Sequence, residues 1–345
     1  MLKTASKPSA GVSLRILARQ AGVDVSTVSR ALAADPRISA VRTAEIRRLA
    51  RRLGYTPKPL RRKRAGAIGL IIAAQNPGLA DDFFQQQVIL AAERYATERK
   101  NHVHVQFIPR EPRKPVWPAL LAERRVDGVF LAGHPPVDLC RKIRERGIPA
   151  VVACDVAERT GCCSVLMDST EAIALAVHRL IDLGHRRIGM VLTRHEFPSV
   201  ETRYRGYRQA LAGAGIELDD RLVLTGLEPN VLGGRTAVTQ YLETRELPAA
   251  ILFTNDWMAL GAMNELSLRG LRVPDDVSLI GHDNVSLCDE LKPRLTSIDG
   301  SVDAMVARAL DLLVRQIDGE AVPDQDTLTA TLVWRDSCDR PKGMA

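Results

Sequence analysis

Beyond residue 66 the chain alternates short apolar runs with longer amphipathic segments, and this alternation limits the fold more than any other feature. The amphipathic segments have helical length and spacing, as in residues 84–99 and 256–269. Strands separated by helices form parallel sheets with helices on both faces. The length suits two such sheets, which bind ligands at the carboxyl ends of their strands and in the cleft between them. The strand-like runs cover residues 67–73, 103–108, 126–133, 149–154, 186–192, 249–255 and 277–283.

The first segment of the chain predicts three short helices. Ser13 caps a helix that ends near Gln20, and Asp24 is a favourable N-cap for a second helix over residues 25–33. Gly22 supplies the backbone conformation of a tight turn between them, and Ser39 caps a third helix that runs to about Leu53. Two helices joined by such a turn form a helix-turn-helix, whose second helix enters the DNA major groove. The predicted inward positions are Leu17, Ala18, Val23, Val28 and Leu32.

The charge of the chain is unevenly distributed. Residues 1–64 hold 16 Lys and Arg against 3 Asp and Glu. The whole chain has 48 basic and 41 acidic residues, so 32 basic and 38 acidic residues lie after residue 64. A basic first segment on an acidic body indicates a polyanionic partner for that segment alone. Charge by itself equally fits a solvated basic tail, and a small helical domain without nucleic acid is the alternative to the helix-turn-helix.

Other features of the composition predict a cytoplasmic protein. No apolar run approaches the ~20 residues of a membrane span, and the start of the chain lacks the apolar core of a signal peptide. The cysteines form no C-x-x-C pair, so we expect reduced and mostly buried thiols rather than a redox or metal site. They are Cys140, Cys154, Cys162, Cys163, Cys288 and Cys338.

A linker separates the two parts of the chain. The stretch TPKPLRRKRAGAIGL contains two prolines, four consecutive basic residues and a glycine before the first apolar run. We therefore predict a helix-turn-helix headpiece over residues 1–56, a basic linker over 57–66 and an α/β core over 67–340.

The chain resembles the lactose/galactose-repressor family of transcription factors over nearly its whole length. In the first segment the similar motifs are ILARQAGVDVSTVSRAL, PRIS and RRLGYTP. In the rest they include AIGLII, ERRVDGVFLAG, DLGHRRIGMV, RYRGYRQAL, TNDWMALGAM, LRVPDDVSLIGHDN and RLTSIDGSVDAM, in the order and spacing of the family.

The resemblance implies a homodimeric, sequence-specific DNA-binding regulator, a repressor, whose operator affinity depends on a small molecule bound between two core lobes. The headpiece would be all-α, and the core would resemble periplasmic sugar-binding proteins, with three chain crossings between its lobes. The amino lobe would hold about 67–166 and 296–324, and the carboxyl lobe about 167–293 and 325–340.

The resemblance also assigns the DNA contacts. Val25 and Ser26 would face base edges, and Arg30 would reach guanine or phosphate. Arg15, Thr27 and Ser29 suit phosphate contacts better than base contacts. A symmetric dimer would prefer a palindromic operator.

The linker departs from the family pattern. It is about four residues shorter than the family's hinge, and its prolines leave little room for a hinge helix. Leu60 is the one candidate for the leucine that wedges into the minor groove. Arg61 and Arg62, with the two basic residues after them, are suited to tracking phosphates. Ala33 also stands where the family has an asparagine.

In the core, three residues match positions where the family contacts sugar hydroxyls: Arg203, Asn255 and Asp283. A guanidinium, an amide and a carboxylate together offer the donors and acceptors that a polyol requires. Asn255 also suits a helix N-cap, and Asp168 is predicted to cap the helix that follows it instead of contacting ligand. The resemblance places Phe83 and Phe84 where an aromatic ring stacks on the effector. We expect no cofactor, and a carbohydrate as the effector.

Three departures bear on the kind of effector. Asp155 stands where purine-sensing members carry an aromatic residue, and Phe197 stands where they carry an effector-binding arginine. Both disfavour a purine. Leu227 replaces a large aromatic residue found in several members, which weakens the sugar interpretation as well.

Two other classes of protein remain as alternatives. An enzyme would need a catalytic motif, but the sequence has no G-x-S-x-G, no P-loop and no G-x-G-x-x-G after a strand. His102, His104, His185 and His282 have no obvious metal partner, so we expect neither a catalytic nor a metal site. A soluble sugar-binding protein without a DNA role would share the core fold but leave the basic headpiece without a purpose.

The short linker generates the first prediction. We expect it to bind DNA electrostatically and to bend the operator weakly or not at all, so that Leu60→Ala changes the bend little. Gel-shift phasing with a permuted operator measures this. A sharp central kink that Leu60→Ala abolishes would contradict the prediction.

Overall fold

The computed structural model describes residues 14–32, 35, 37–53, 65–74, 83–109, 112, 117–193, 197–244 and 247–341. The chain divides into two compact units, Met1–Arg64 and Ala65–Ala345. Of the predicted linker, only Ala65 and Gly66 are described, and their backbone N–H groups donate to the carboxylate of Asp127 at 2.9 Å. These two residues are therefore anchored to the core unit.

The first unit is a helix-turn-helix followed by a third helix. Its helices are α1 (Leu14–Ala21), α2 (Val25–Leu32) and α3 (Ala40–Arg52). Gly22 has a φ of 62°, which only a residue without Cβ adopts at little cost, and so it forms the turn between α1 and α2. Ser39 caps α3 as predicted, since its Oγ accepts from the N–H of Arg42 at 3.3 Å.

The core of this unit agrees with the predicted inward positions. Leu17, Ala18 and Val28 are fully or almost fully buried, and Val23 and Leu32 are half-buried against them. Three further apolar residues complete the core: Ala31, Ile46 and Ala50.

The second unit contains two six-stranded sheets. The first has the strand order β11-β5-β4-β3-β1-β2, with every pair parallel. Its strands are β1 (Ala67–Ala74), β2 (His102–Pro109), β3 (Gly128–Ala132), β4 (Ala150–Ala153), β5 (Cys163–Asp168) and β11 (Gln325–Thr329). The helices along this part of the chain are α4 (Phe83–Glu98), α5 (Ala119–Ala122), α6 (Val137–Glu145) and α7 (Ala157–Thr160).

The second sheet has the order β12-β10-β9-β8-β6-β7, and β12 is its one antiparallel strand among the described residues. Its strands are β6 (Ile188–Val191), β7 (Val223–Leu224), β8 (Ala250–Phe253), β9 (Ser278–His282), β10 (Thr296–Asp299) and β12 (Thr331–Val333). The remaining helices are α8 (Thr170–Asp182), α9 (Pro198–Gly213), α10 (Val231–Glu243), α11 (Asp256–Leu268), α12 (Leu287–Glu290) and α13 (Val302–Asp318), with a 3₁₀ turn at Asp220–Leu222.

Helices cover both faces of each sheet, as the sequence predicts. Alternate residues of β1 divide between two clusters: Leu70 and Ile72 pack on the side of α4 and α13, whereas Ile71 and Ala73 pack on the side of α5 and α6. In the second sheet, α8 and α9 cover one face, and α10 and α11 cover the other. Strands buried on both faces are predominantly apolar, which explains the continuous runs seen in the sequence.

We call the first sheet with its helices the amino lobe and the second sheet with its helices the carboxyl lobe. The chain passes between them after β5, between β10 and α13, and between β11 and β12. Three crossings were expected, but two of their positions were wrong.

The predicted return to the amino lobe at 296 is wrong because β10 pairs with Ile280–His282 of the carboxyl lobe. The chain crosses later, at Gly300 and Ser301. The predicted return to the carboxyl lobe at 325 is also wrong, because β11 pairs with Ser164–Asp168. This crossing lies at Ala330. No helix of the described part is long and apolar enough to cross a membrane.

Two glycines allow α10 and α11 to pack closely. A Cβ on Gly234 would lie 1.8 Å from the backbone oxygen of Met258, and a Cβ on Gly261 would lie 2.0 Å from that of Val231. Since these neighbours are backbone atoms, neither can move without shifting a helix.

We expect Gly234→Ala to lower the free energy of unfolding by about 2–3 kcal/mol, because the added methyl forces the two helices apart. Gly213→Ala is the control: its Cβ would meet only His178, at 3.9 Å. That change should leave stability the same or raise it by about 0.5 kcal/mol. Urea unfolding measures both, and equal effects of the two changes would refute the close packing.

Candidate functional site

The candidate site is a cavity of about 210 Å³ between the two lobes. It lies beyond the carboxyl ends of β3, β4, β6, β8 and β9, where parallel sheets place their ligands. The structure brings Phe84, Arg203, Asn255 and Asp283, four of the five predicted effector residues, to this one cavity. Its lining is Phe84, Gln85, Gly133, His134, Cys154, Thr193, Phe197, Ser199, Val200, Arg203, Gly226, Leu227, Glu228, Pro229, Thr254, Asn255, Trp257 and Asp283.

Arg203, on α9, is the central cationic group of the cavity. One terminal nitrogen donates to the backbone oxygen of Thr254 at 2.5 Å, and the other lies 3.7 Å from Oδ1 of Asp283. Nε is buried and has no hydrogen-bond partner among the described residues. Burial lowers the pKa of Arg203, and Asp283 acts in the opposite direction. The guanidinium therefore retains donors that the protein itself does not use.

Asn255 has both of the roles that its sequence position allows. It is the N-cap of α11, where its Oδ1 accepts from the N–H of Met258 at 2.8 Å. Its Nδ2 donates to the backbone oxygen of Pro229 at 3.1 Å, which ties together two loops that line the cavity.

Asp168 is the last residue of β5, two residues before α8, and does not line the cavity. It accepts from the N–H of Thr170 at 2.8 Å and from Arg205 at 3.1 Å. The predicted capping role is met only in part: the carboxylate accepts the N–H of the first residue of α8, but the N-cap position is Ser169, whose side chain makes no cap hydrogen bond.

On the amino-lobe side, His134 stacks on Phe197 of the carboxyl lobe, with ring centroids 3.9 Å apart and planes at 8°. Behind it, Asp155 is fully buried and accepts from Nε of Arg159 at 2.7 and 2.8 Å. Nδ1 of His134 lies 3.6 Å from the same carboxylate. Burial alone would raise the pKa of Asp155, but Arg159 and His134 outweigh it and hold that pKa at about 2.

The sequence did not identify every residue of the cavity. His134, Gln85, Glu228 and Trp257 line it, although none was a predicted site residue. His134 follows the predicted strand over 126–133, so its place beyond a carboxyl end was the available signal. Phe83 begins α4, and its side chain lies outside the described residues. Among the described residues no group of His, Cys, Asp or Glu could hold a metal ion.

The second predicted site is the outer face of α2. Ser26 and Arg30 are exposed, and Val25 is 40% exposed. Thr27 and Ser29 are half-buried. The small side chains of this face leave the helix slim enough for a DNA groove.

Some predicted DNA contacts cannot be placed. Arg15 lies in α1, but its side chain is outside the described residues. Leu60, Arg61 and Arg62 lie wholly outside them, as does Ala33.

Comparison with known proteins identifies the family of the chain. A family profile for "Bacterial regulatory proteins, lacI family" matches residues 10–58, and one for a "Periplasmic binding protein-like domain" matches residues 177–338. The transcriptional repressor CytR of Escherichia coli K12 is 30% identical over 323 residues, covering 92% of this chain and 93% of that protein. The chain belongs to the LacI family. It is a DNA-binding transcriptional regulator rather than a sugar-binding protein without a DNA role.

Other LacI-family members show the same extent of similarity. The regulator GalR of Escherichia coli K12 is 29% identical over 337 residues, covering 95% of this chain and 96% of its own. The structure of a CelR–cellobiose complex matches with a TM-score of 0.69 and 27% identity, over 94% of this chain and 99% of that one. The structure of the operator-bound lac repressor dimer matches with a TM-score of 0.69 and 25% identity, over 96% of this chain and 100% of that one. These relatives are transcriptional regulators rather than enzymes.

The buried carboxylate of Asp155 yields a prediction of pH dependence. Its pKa is held below the ordinary value, so its ionised form stabilises the fold above about pH 4, and this contribution is lost as the pH falls towards 2. We expect Asp155→Asn to lower the free energy of unfolding by about 2 kcal/mol at pH 7, with a smaller loss at pH 2.

The matched control is Asp138→Asn. Asp138 also pairs with an arginine one turn away, Arg141, but both side chains are more than half exposed. Exposed pairs contribute little, so this change should have almost no effect. Urea unfolding at several pH values compares the two, and a pH-independent loss for Asp155→Asn would contradict the prediction.

Proposed function

We propose that this LacI-family regulator is a repressor that binds a palindromic operator as a homodimer, with α2 of each headpiece in the major groove. Helix α2 presents Val25, Ser26 and Arg30, which suit a thymine methyl, any base edge, and guanine or phosphate respectively. The lac repressor dimer bound to operator, which this chain resembles over nearly its whole length, supports this arrangement.

We further propose that the effector is an uncharged sugar bound between the lobes. The observation that carries this proposal is the convergence of Arg203, Asn255 and Asp283 on one cavity with aromatic walls. The aromatic residues Phe84 and Trp257 line the cavity, and the apolar face of a sugar packs on such rings. The cellobiose bound by the related CelR supports a carbohydrate.

The charges of the cavity favour an uncharged ligand over a sugar phosphate. Arg203 is the one Lys or Arg among the described lining residues, and it faces the carboxylate of Asp283. Glu228 adds a second carboxylate. A phosphate dianion would therefore meet a lining with more acidic than basic groups, and desolvating it there is costly.

The protein acts in this proposal by binding alone, without catalysis or a cofactor, in the cytoplasm. Its function is then the coupling of two sites, so that the sugar changes operator affinity and the operator changes sugar affinity by the same factor.

Thermal unfolding of the full chain with single ligands tests the effector proposal. The panel holds glucose, galactose, ribose and cellobiose, the 6-phosphates of glucose and galactose, and cytidine. We expect an uncharged sugar to raise the melting temperature, since a ligand that binds only the native state stabilises it by about 2.7 kcal/mol at 100 times Kd. Arg203→Gln should abolish the shift.

The control variant is Arg205→Gln, on the same helix. Arg205 contacts Asp168 and Thr170 rather than the cavity, so the shift should persist. A shift that survives Arg203→Gln, or a phosphate that binds better than its parent sugar, would refute the proposed effector site.

Removal of residues 1–64 tests the DNA-binding proposal, because the core unit begins at Ala65. An operator is first selected from random duplexes with the full chain, and we expect a palindrome. The truncated protein should lose operator binding and keep the thermal shift. Retained operator binding would contradict the proposal.

A further inference from the structure

The imidazole of His282 lies between the cavity and one of the crossings between the lobes. His282 ends β9 and is 1% exposed. Its Nδ1 is 2.8 Å from Oδ1 of Asp283, and its Nε2 is 2.8 Å from Oγ of Ser169. Asp283 lines the cavity, and Ser169 is the residue between β5 and α8. A continuous chain of hydrogen bonds therefore joins the site to the crossing.

The direction of these hydrogen bonds follows from the chemistry of the three groups. Burial and the nearby Arg203 lower the pKa of His282 to about 4, so the ring is neutral and carries one N–H. A carboxylate only accepts, so this N–H is on Nδ1 and donates to Asp283. Nε2 then accepts from the hydroxyl of Ser169. Each group has one arrangement that satisfies its neighbours.

His282 is also adjacent to the second crossing. A Cβ on Gly300 would lie 3.5 Å from Cε1 of His282 and 3.4 Å from Cγ of Met167. The third crossing is tied to the first, since the N–H of Ala330 donates to the backbone oxygen of Asp168 at 3.1 Å. The ring thus lies where the three segments that cross between the lobes come together.

Asp283 is held in a conformation that depends on its partners. Its φ is 97°, outside the range that residues with a Cβ ordinarily adopt. The N–H of Asp283 donates to the backbone oxygen of Ile298 at 2.8 Å, and His282 occupies Oδ1. Oδ2 accepts no hydrogen bond from the described residues. The orientation of the carboxylate in the cavity therefore depends directly on His282.

A serine, a histidine and an aspartate in this order also form the nucleophilic triads of hydrolases. Here Ser169 is 1% exposed and does not line the cavity, so its hydroxyl has no access to a substrate there. This geometry allows Ser169 and His282 to position the carboxylate of Asp283, but it does not allow Ser169 to attack a substrate in the cavity.

We propose that His282 is a positioning residue that couples the carboxylate of Asp283 in the cavity to the hydroxyl of Ser169 at the first crossing. A ligand that reorients Asp283 alters the hydrogen bond at Ser169, and movement at the crossing alters the carboxylate that the ligand meets. This inference rests on the proposed function, because it names the path from the sugar site to the lobe crossing.

Solid-state NMR of the full chain, labelled with ¹⁵N-histidine, tests the path from the crossing to the site. His282→Gln assigns the signals by removing them. The wild-type ring should be neutral, with the proton on Nδ1. Ser169→Ala should shift the Nε2 resonance. It should also shift the resonance of Nδ1–H, which is on the other side of the ring and bonds Asp283, because hydrogen bonds in a chain polarise one another. Ser169→Thr keeps a hydroxyl and should restore both.

The outcomes separate coupling from packing. If Ser169 only fills space, both of its variants lower stability and neither moves the Nδ1–H resonance. That result, or a proton on Nε2 in the wild type, would overturn the proposal.

Hydrogen exchange of the backbone at residues 166–170 tests the reverse direction. Asp283→Asn should raise the exchange rate there about fivefold, which corresponds to one intramolecular hydrogen bond. Glu228→Gln changes another carboxylate of the cavity that has no contact with His282, and it should leave the rate unchanged. An unchanged rate in Asp283→Asn would overturn the proposal.

None of these measurements uses a sugar. The NMR and exchange results can therefore show no coupling through His282 even though a panel sugar binds. In that case the proposal for His282 is wrong and the proposed effector site is unaffected. Coupling can also be present when no panel sugar binds, and the proposed effector would then be wrong.

Discussion

The three crossings between the lobes are the constraint on which the rest of the core depends. Because every strand of the two sheets except β12 is parallel to its neighbours, their carboxyl ends emerge at one edge of each sheet, and the crossings set the two edges against each other. Residues far apart in sequence, such as His134, Arg203 and Asp283, therefore meet in one cavity. The same crossings are the segments about which two lobes can move. The crossings therefore both form the cavity and are the segments about which the lobes can move.

The loop that carries Asp283 is secured by another carboxylate. Asp256, at the start of α11, accepts from Oγ of Ser297 at 2.6 Å and from the N–H of Val285 at 2.9 Å. It joins the start of α11 to β10 and to the loop after β9. A Cβ on Gly281 would lie 2.0 Å from Oδ1, so a side chain there would displace this anchor. Burial, with Asp283 acting in the same direction, raises the pKa of Asp256 to about 7. The fold accepts an unfavourable buried carboxyl in order to fix the loop.

Much of the fold could be predicted from the sequence, because most of the chain obeys a local pattern. All seven apolar runs contain strands, and the inward residues of the headpiece were found from helical spacing. Five described strands lie outside these runs: β5, β7, β10, β11 and β12. Of these, β10 and β11 were missed because most of their residues are polar. Thr296 and Ser297 are nevertheless fully buried, since Arg335, Ser337 and Asp256 satisfy their hydrogen bonds. Such partners come from distant parts of the chain, and a local pattern cannot show them.

The residues of the candidate site also divide into those that a local motif predicts and those that only the packed structure shows. Arg203, Asn255 and Asp283 follow from motifs, whereas His134 and Trp257 follow from the meeting of two lobes. On the amino-lobe side, the sequence did not indicate which polar residue would contact a ligand, and the reason is chemical. Asp155 is the residue there with the most evident polar chemistry in the sequence, but Arg159 and His134 already compensate its charge. Its role is to hold His134 in place, and only the packed structure shows that.

The two sides of the cavity consequently offer different chemistry. The carboxyl lobe supplies Arg203 with unused donors and Asp283 with a free carboxylate oxygen. On the amino lobe, Asp155 is already neutralised, and the rings of Phe84 and His134 remain as contact surfaces. Polar groups fix orientation, and apolar surfaces reward the exclusion of water. A ligand held by the polar groups of the carboxyl lobe would also lie against Phe84 on the amino lobe and Trp257 on the carboxyl lobe, and closure of the lobes would bury its apolar face between them. In the proposed function, this burial would give a closing movement a driving force that depends on the ligand, as a regulator requires.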